Sequence, residues 1–134
     1  MTVEPGRSAR VSLTVADADT AIAMGSGSVP ALATPRVLAL MESAAVAAIA
    51  GALDPGQTTV GVSAELTHSA ATPIGGQVDA EAKLTAVDGR QLDFVITVVD
   101  RATGSTVAEG RHRRIVVDYE RFVQRLAATP TART

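Results

Sequence analysis

Three side chains far apart in the chain carry the parts of an acyl-transfer site: the hydroxyl of Thr34, the carboxylate of Glu42 and the imidazole of His68. Together such groups can supply a nucleophile, a proton carrier and a charge that orients or stabilises it. Glu42 stands out first. It is the only charged residue in VLALMESAAVAAIAGAL (37–53), and a carboxylate on so apolar a helix must be desolvated at a cost of a few kcal/mol or held by specific partners. Thr34 precedes Pro35 at the start of that helix, where free N–H groups and the positive dipole end favour developing negative charge. His68 lies in LTHSAATPIGG (66–76), at the end of a strand pattern and before a Pro/Gly turn. The ordinary pKa of histidine suits proton transfer near neutrality. Each residue also has a structural reading: Thr34 as a helix cap accepting from the Val37 N–H, Glu42 as the partner of an arginine across an interface, His68 as a satisfied structural histidine.

The elements that must position these groups are legible in the hydrophobic pattern. Thr34-Pro35 opens a helix, and Asp54-Pro55-Gly56 closes it after about Leu53. The helix is apolar nearly all round and so needs cover on most sides; its alanines at 44, 45, 47, 48 and 50 permit close approach. Period-two alternation marks strands with one buried face at Val11–Val15, Val60–Leu66, Val78–Ala86 and Leu92–Val98. Asp88-Gly89 joins the third and fourth as a tight hairpin, and 102–104 turns into a fifth strand over 105–117. A short amphipathic helix is predicted over 118–127, with a frayed tail at 128–134 and a mobile loop at 16–33. The order strand, loop, helix, then four strands predicts an α+β hotdog fold: an antiparallel sheet of about five strands wrapped around one long apolar helix, as a single domain over 1–134. Such a sheet leaves an edge that a homodimer can close.

Composition excludes several classes. The 134 residues are enough to bury a core without staples, and the absence of cysteine removes disulfides and thiolate metal clusters. Two histidines supply no dense metal site, so no metal or separate cofactor is expected. A net charge of −2 and only three aromatics, Phe94, Tyr119 and Phe122, argue against nucleic acid. The apolar run is short of the ~20 residues a bilayer crossing needs. The expectation is a cytoplasmic soluble protein with no membrane contact.

The stretches ALATPRVLALMESA (31–44) and VGVSAELTHSAATPIGG (60–76) resemble the fluoroacetyl-CoA thioesterase family of hotdog enzymes, and VDGRQL (87–92) and GRHRRIVVDYERF (110–122) extend the likeness. The resemblance implies that Thr34, Glu42 in its LME motif and His68 in its THxAATP motif form the catalytic set, and that Gly61 lies close to the thioester. The family carries phenylalanines just upstream of its threonine and an aromatic after its glutamate. Here the first segment reads GSGSVPALA (25–33) and the second position is Ser43.

Hydrolysis of a short acyl-CoA is the resulting expectation, with coenzyme A as part of the substrate. The oxyanion would be met by N–H groups around Thr34 or at Gly61. His68 would carry the proton. Glu42 would orient His68, attack the thioester, or activate water. The densest basic group, Arg111 to Arg114, splits by alternation into two faces, so that Arg111 and Arg113 together are the candidate phosphate contacts. Two other readings stand beside this one. One is a thioesterase acting on carrier-protein or larger acyl and aroyl thioesters, the other a hotdog dimer that binds acyl-CoA without turnover.

Overall fold

The computed structural model describes residues 3–130. Five strands, β1 (Ser8–Thr14), β2 (Gln57–His68), β3 (Gln77–Asp88), β4 (Gln91–Asp100) and β5 (Thr106–Asp118), form one antiparallel sheet in the order β1-β3-β4-β5-β2. Three helices accompany it: α1 (Ala21–Met24), α2 (Thr34–Ala48) and α3 (Tyr119–Ala128). The sheet curls around α2 in the hotdog arrangement that the sequence predicts. No helix of the described residues is long and apolar enough to cross a membrane.

The core follows from alternation. Val78, Ala80, Ala82 and Leu84 of β3 and Leu92, Phe94, Ile96 and Val98 of β4 are buried on one face, against Val37, Leu40, Met41, Ala44, Ala45 and Ala48 of α2. Each fully buried Leu, Ile, Val or Phe side chain contributes roughly 1.5–3 kcal/mol, and the alanines let helix and sheet approach closely. The hairpin between β3 and β4 is tight: Asp88 pairs with Gln91, and Gly89 takes a φ of 59° that a side chain would resist.

Several expectations are corrected here. α2 ends at Ala48 rather than near Leu53, because Ile49 leaves helical geometry and Gly51 turns left-handed at a φ of 79°. Arg7 then donates to the Ala48 and Ala50 carbonyls, both at 2.9 Å, satisfying acceptors that the helix end exposes. The helix cap is Ala33, not Thr34, with Pro35 following in the first turn. Segment 16–33 is not without secondary structure. It holds a 3-10 turn at Asp17–Asp19, helix α1 and single bridges Thr20–Leu32 and Ala31–Pro73. A bulge between Leu84 and Ala86 breaks the β3 alternation and leaves Ala86 exposed. Helix α3 begins one residue later than expected, capped by the Asp118 carboxylate on the Arg121 N–H at 2.9 Å. Of the tail expected to fray, residues 131–134 lie outside the described residues.

The largest correction concerns cover. The sequence suggests a helix enclosed on most sides and a β2 with one buried face. Within one chain, a stripe of α2 through Ala39, Ser43 and Val46 is exposed, with Val46 at 47%. Strand β2 is an edge of the sheet, and its Val62 is 52% exposed.

Candidate active site

Thr34 and His68 meet. The first turn of α2 and the last residue of β2 bring Thr34 Oγ1 to 2.9 Å from His68 Nδ1. Two backbone ties set this approach: the Ala31–Pro73 bridge, and the Leu32 N–H donating to the Thr72 carbonyl at 2.9 Å. They lash the segment before α2 to the turn after β2. Because Ala33 caps the helix through its backbone, the Thr34 hydroxyl is not spent on Val37; both the Arg36 and Val37 N–H groups go to the Ala33 carbonyl. Pro35 has no N–H, which leaves that of Thr34 as the open donor of the first turn. With the Thr34 hydroxyl donating to Nδ1, the His68 proton sits on Nε2, an atom that is buried without a partner among the described residues. Hydroxyl and imidazole are then in the relation of nucleophile and base. They open onto a cavity of about 320 Å³ walled by Ala21, Val29, Ala31 and Leu32, with no aromatic side chain.

Glu42 is elsewhere. It lies eight residues beyond Thr34 on α2, about 12 Å at the helical rise of 1.5 Å per residue. Its carboxylate is not enclosed, being 40% exposed, and Oε2 accepts from Arg114 Nη1 at 3.1 Å. Arg114 is fixed in turn: Nε donates to Thr59 Oγ1 at 2.9 Å, Nη2 to the Thr59 carbonyl at 3.1 Å, and Nη1 to His112 Nε2 at 3.0 Å. His112 is buried, stacks on Phe94 with ring centroids 6.3 Å apart, and donates from Nδ1 to the Ser63 carbonyl at 2.9 Å. Burial first, and then the neighbouring guanidinium, hold its pKa below the usual histidine range. A neutral ring protonated on Nδ1 presents a bare Nε2 to Arg114, so the 3.6 Å approach of that nitrogen to Glu42 is not an ion pair.

Gly61 makes room for this cluster. A Cβ there would stand 2.7 Å from Glu42 Oε2, 3.1 Å from His112 Cε1 and 3.2 Å from Arg114 Nη1. The expected catalytic set therefore divides within one chain. Thr34 and His68 form one half, while Glu42 and Gly61 form another with Arg114 and His112. Those last two were not among the predicted site residues. Alternation along β5 places them opposite Arg111 and Arg113, but their pairing with Glu42, 72 positions away in the case of Arg114, has no local signal.

Arg111 and Arg113 are exposed on the face of the sheet turned away from α2. Arg113 is engaged with Asp93 at 2.8 Å, and Arg111 has no polar partner among the described residues. A groove of about 530 Å³ runs beside them past Glu65 and Val95.

The profile of the FlK family, fluoroacetyl-CoA-specific thioesterases, matches residues 15–120, which contain both halves of the site. The chain belongs to this family. The fluoroacetyl-CoA thioesterase of Streptantibioticus cattleyicolor is 38% identical over 90 residues, 67% of this chain; the match spans 63% of that relative's length, somewhat under two thirds. A solved structure of the family's fluoroacetyl-CoA thioesterase superposes with a TM-score of 0.88 at 27% identity, covering 96% of this chain and 98% of the other. A threonine-to-serine variant of that enzyme, in complex with acetyl-CoA, gives 0.87 at 29% identity over 96% and 100% of the two chains. A thioesterase superfamily member from Thermus thermophilus, 21% identical with 93% of each chain covered, shares the fold at a TM-score of 0.84.

Proposed function

We propose that the protein hydrolyses the thioester of a short acyl-CoA. The observation that carries this is the 2.9 Å contact between Thr34 Oγ1 and His68 Nδ1 at a helix N-terminus that opens onto a small cavity lined by both aliphatic and hydroxyl side chains. In this reading the Thr34 oxygen attacks the thioester carbonyl while its proton passes to His68 Nδ1. The oxyanion is received by the Thr34 N–H and the dipole of α2. As the carbon–sulfur bond breaks, His68 returns the proton to the departing sulfur. Water then attacks the acyl-threonine, losing its proton to His68, and His68 passes that proton to the Thr34 oxygen as the ester bond breaks and the free acid leaves. The fluoroacetyl specificity in the relatives' names is not part of this reading, because small aliphatic side chains wall the cavity.

Glu42 enters from a second copy of the chain. Edge strand β2 with its exposed Val62 and the uncovered α2 stripe with its exposed Val46 leave apolar surface uncovered in one chain, and such an edge invites a homodimer. A twofold contact that sets Thr34 against Glu42 of the partner subunit repeats the arrangement reciprocally and gives two complete sites. Glu42, held by Arg114, then faces the acyl group from the side opposite Thr34, where a carboxylate can direct the incoming water. A cytoplasmic setting belongs to the same reading.

Thiol release from a panel of acyl-CoA thioesters tests it. T34A and H68A are each expected to lose ~10²- to 10⁴-fold in kcat/KM. Turnover at wild-type level in H68A would reject the assignment. Turnover confined to carrier-protein thioesters would favour that alternative, and tight acyl-CoA binding without thiol release would make the protein a binder.

A further inference from the structure

Six of the eleven lysines and arginines among the described residues are spent on internal partners. Arg7 bonds carbonyls, and Arg10, Arg36, Arg101, Arg113 and Arg114 each meet a carboxylate. Among the described residues, Lys83, Arg90, Arg111, Arg121 and Arg125 have no polar partner for their charge. Three of those five, Arg90, Arg121 and Arg125, line one pocket of about 130 Å³ between the β3–β4 turn and α3, together with Val117, Asp118 and half-buried Phe122. The Asp118 carboxylate is already engaged by the Arg121 backbone N–H and pairs with none of the three guanidinium groups. Arg121 and Arg125 stand one helical turn apart, a like-charge spacing that costs helix stability when nothing anionic lies between them.

We propose that this pocket anchors the phosphorylated nucleotide end of coenzyme A, the arginines receiving its phosphate groups and Phe122 its adenine ring. The proposal rests on the acyl-CoA reading and adds a second, separate site to it. Guanidinium groups match phosphate oxygens in planar, paired geometry, and an aromatic face takes a purine. Position agrees with chemistry. Strand β5 carries Arg114, which holds Glu42, and four residues later Asp118 at the rim of the pocket, a span of roughly 13 Å along a strand. A thioester beside Glu42 and phosphates at α3 thus lie near the two ends of one short stretch of strand, a separation within the reach of an extended pantetheine arm.

The experiment compares one short acyl group carried on coenzyme A and on pantetheine, which lacks the nucleotide. In the variant R90Q/R121Q/R125Q, KM for acyl-CoA is expected to rise roughly 10-fold or more with kcat unchanged, while pantetheine thioester kinetics stay at wild-type values. Added salt is expected to raise the wild-type KM for acyl-CoA and to do so far less in the variant. An unchanged KM for acyl-CoA, or an equal loss on both substrates, overturns the site; so does a KM rise in R111Q/R113Q in place of the triple variant. Calorimetric titration with coenzyme A and with adenosine 3′,5′-bisphosphate is independent of turnover. Binding of both that weakens in the triple variant supports the pocket even where no thioester is cleaved, and equal binding to both proteins rejects it even where hydrolysis proceeds.

Discussion

Mixing two inactive variants decides whether the site is shared between subunits. Along α2, Thr34 and Glu42 are about 12 Å apart. Along β2, His68 lies seven residues beyond Gly61, roughly 23 Å at the strand rise, reduced somewhat by the bulge between Gly61 and Ser63. Neither separation lets one chain close its own Glu42 onto its own Thr34–His68 pair. T34A and E42Q are each expected to retain about 1% of wild-type activity or less, the loss of an acid–base or nucleophilic group being worth ~10² or more. When the two exchange subunits at equal amounts, about half the dimers are mixed, and each mixed dimer holds one site with both residues intact. Activity should therefore return to about a quarter of wild type, or about half for a mixed dimer isolated through two different tags. The doubly substituted chain T34A/E42Q supplies the opposite test. Paired with wild type, it damages both sites if they are shared and only one if each lies within a chain. Thiol release on a short acyl-CoA reads both mixtures. A mixed T34A and E42Q dimer as inactive as its parents, beside a half-active dimer of the double variant with wild type, would refute the shared site.

Three further outcomes follow from the geometry. G61A places a Cβ 2.7 Å from Glu42 Oε2, so the carboxylate must swing from Arg114; a stability loss of about 1–3 kcal/mol and a fall in kcat are expected by denaturant unfolding and steady-state kinetics. His112, depressed in the fold from its ordinary 6.5 chiefly by burial, is protonated sooner in the unfolded chain, so stability is full above pH 6.5 and declines as pH falls below it. Melting of wild type against H112Q should show up to about 1.4 kcal/mol lost per pH unit in that window, and only in the protein that keeps the histidine. V62K/V46E puts charges on the exposed β2 edge and α2 stripe; sedimentation should find monomers that are folded and inactive, while a fully active monomer would show that the subunit contact is not needed.

What the sequence disclosed and what it withheld divide along physical lines. The β3–β4 hairpin was readable because its signals are local: alternating burial from Val78 to Val98 and a glycine at the turn. The meeting of Thr34 and His68 was foreshadowed by two element ends of matching chemistry, although the expectation of a side-chain cap failed, since a backbone carbonyl at Ala33 does that work. The pattern predicts an enclosed helix and a buried face of β2, and a single chain provides neither. An apolar residue such as Val62 signals only that something covers it, not whether the cover comes from its own chain or from another copy.

Glu42 shows why the rest of the site was out of reach. Its apolar flanks call for a carboxylate that is either desolvated or held by specific partners; the partner is Arg114 of the same chain, and 40% of the side chain stays open. That reach depends on the missing side chain at Gly61, on the register that sets Gly61 opposite Arg114, and on the parity that turns His112 and Arg114 inward. Each of these is a property of strand pairing and has no counterpart in residue spacing. The same register makes the carboxylate usable. With Oε2 pinned by Arg114 and the other oxygen without a partner among the described residues, Glu42 is fixed in place and still has one face to offer. In the proposed shared site, that open face is the one a thioester held by the partner subunit would meet.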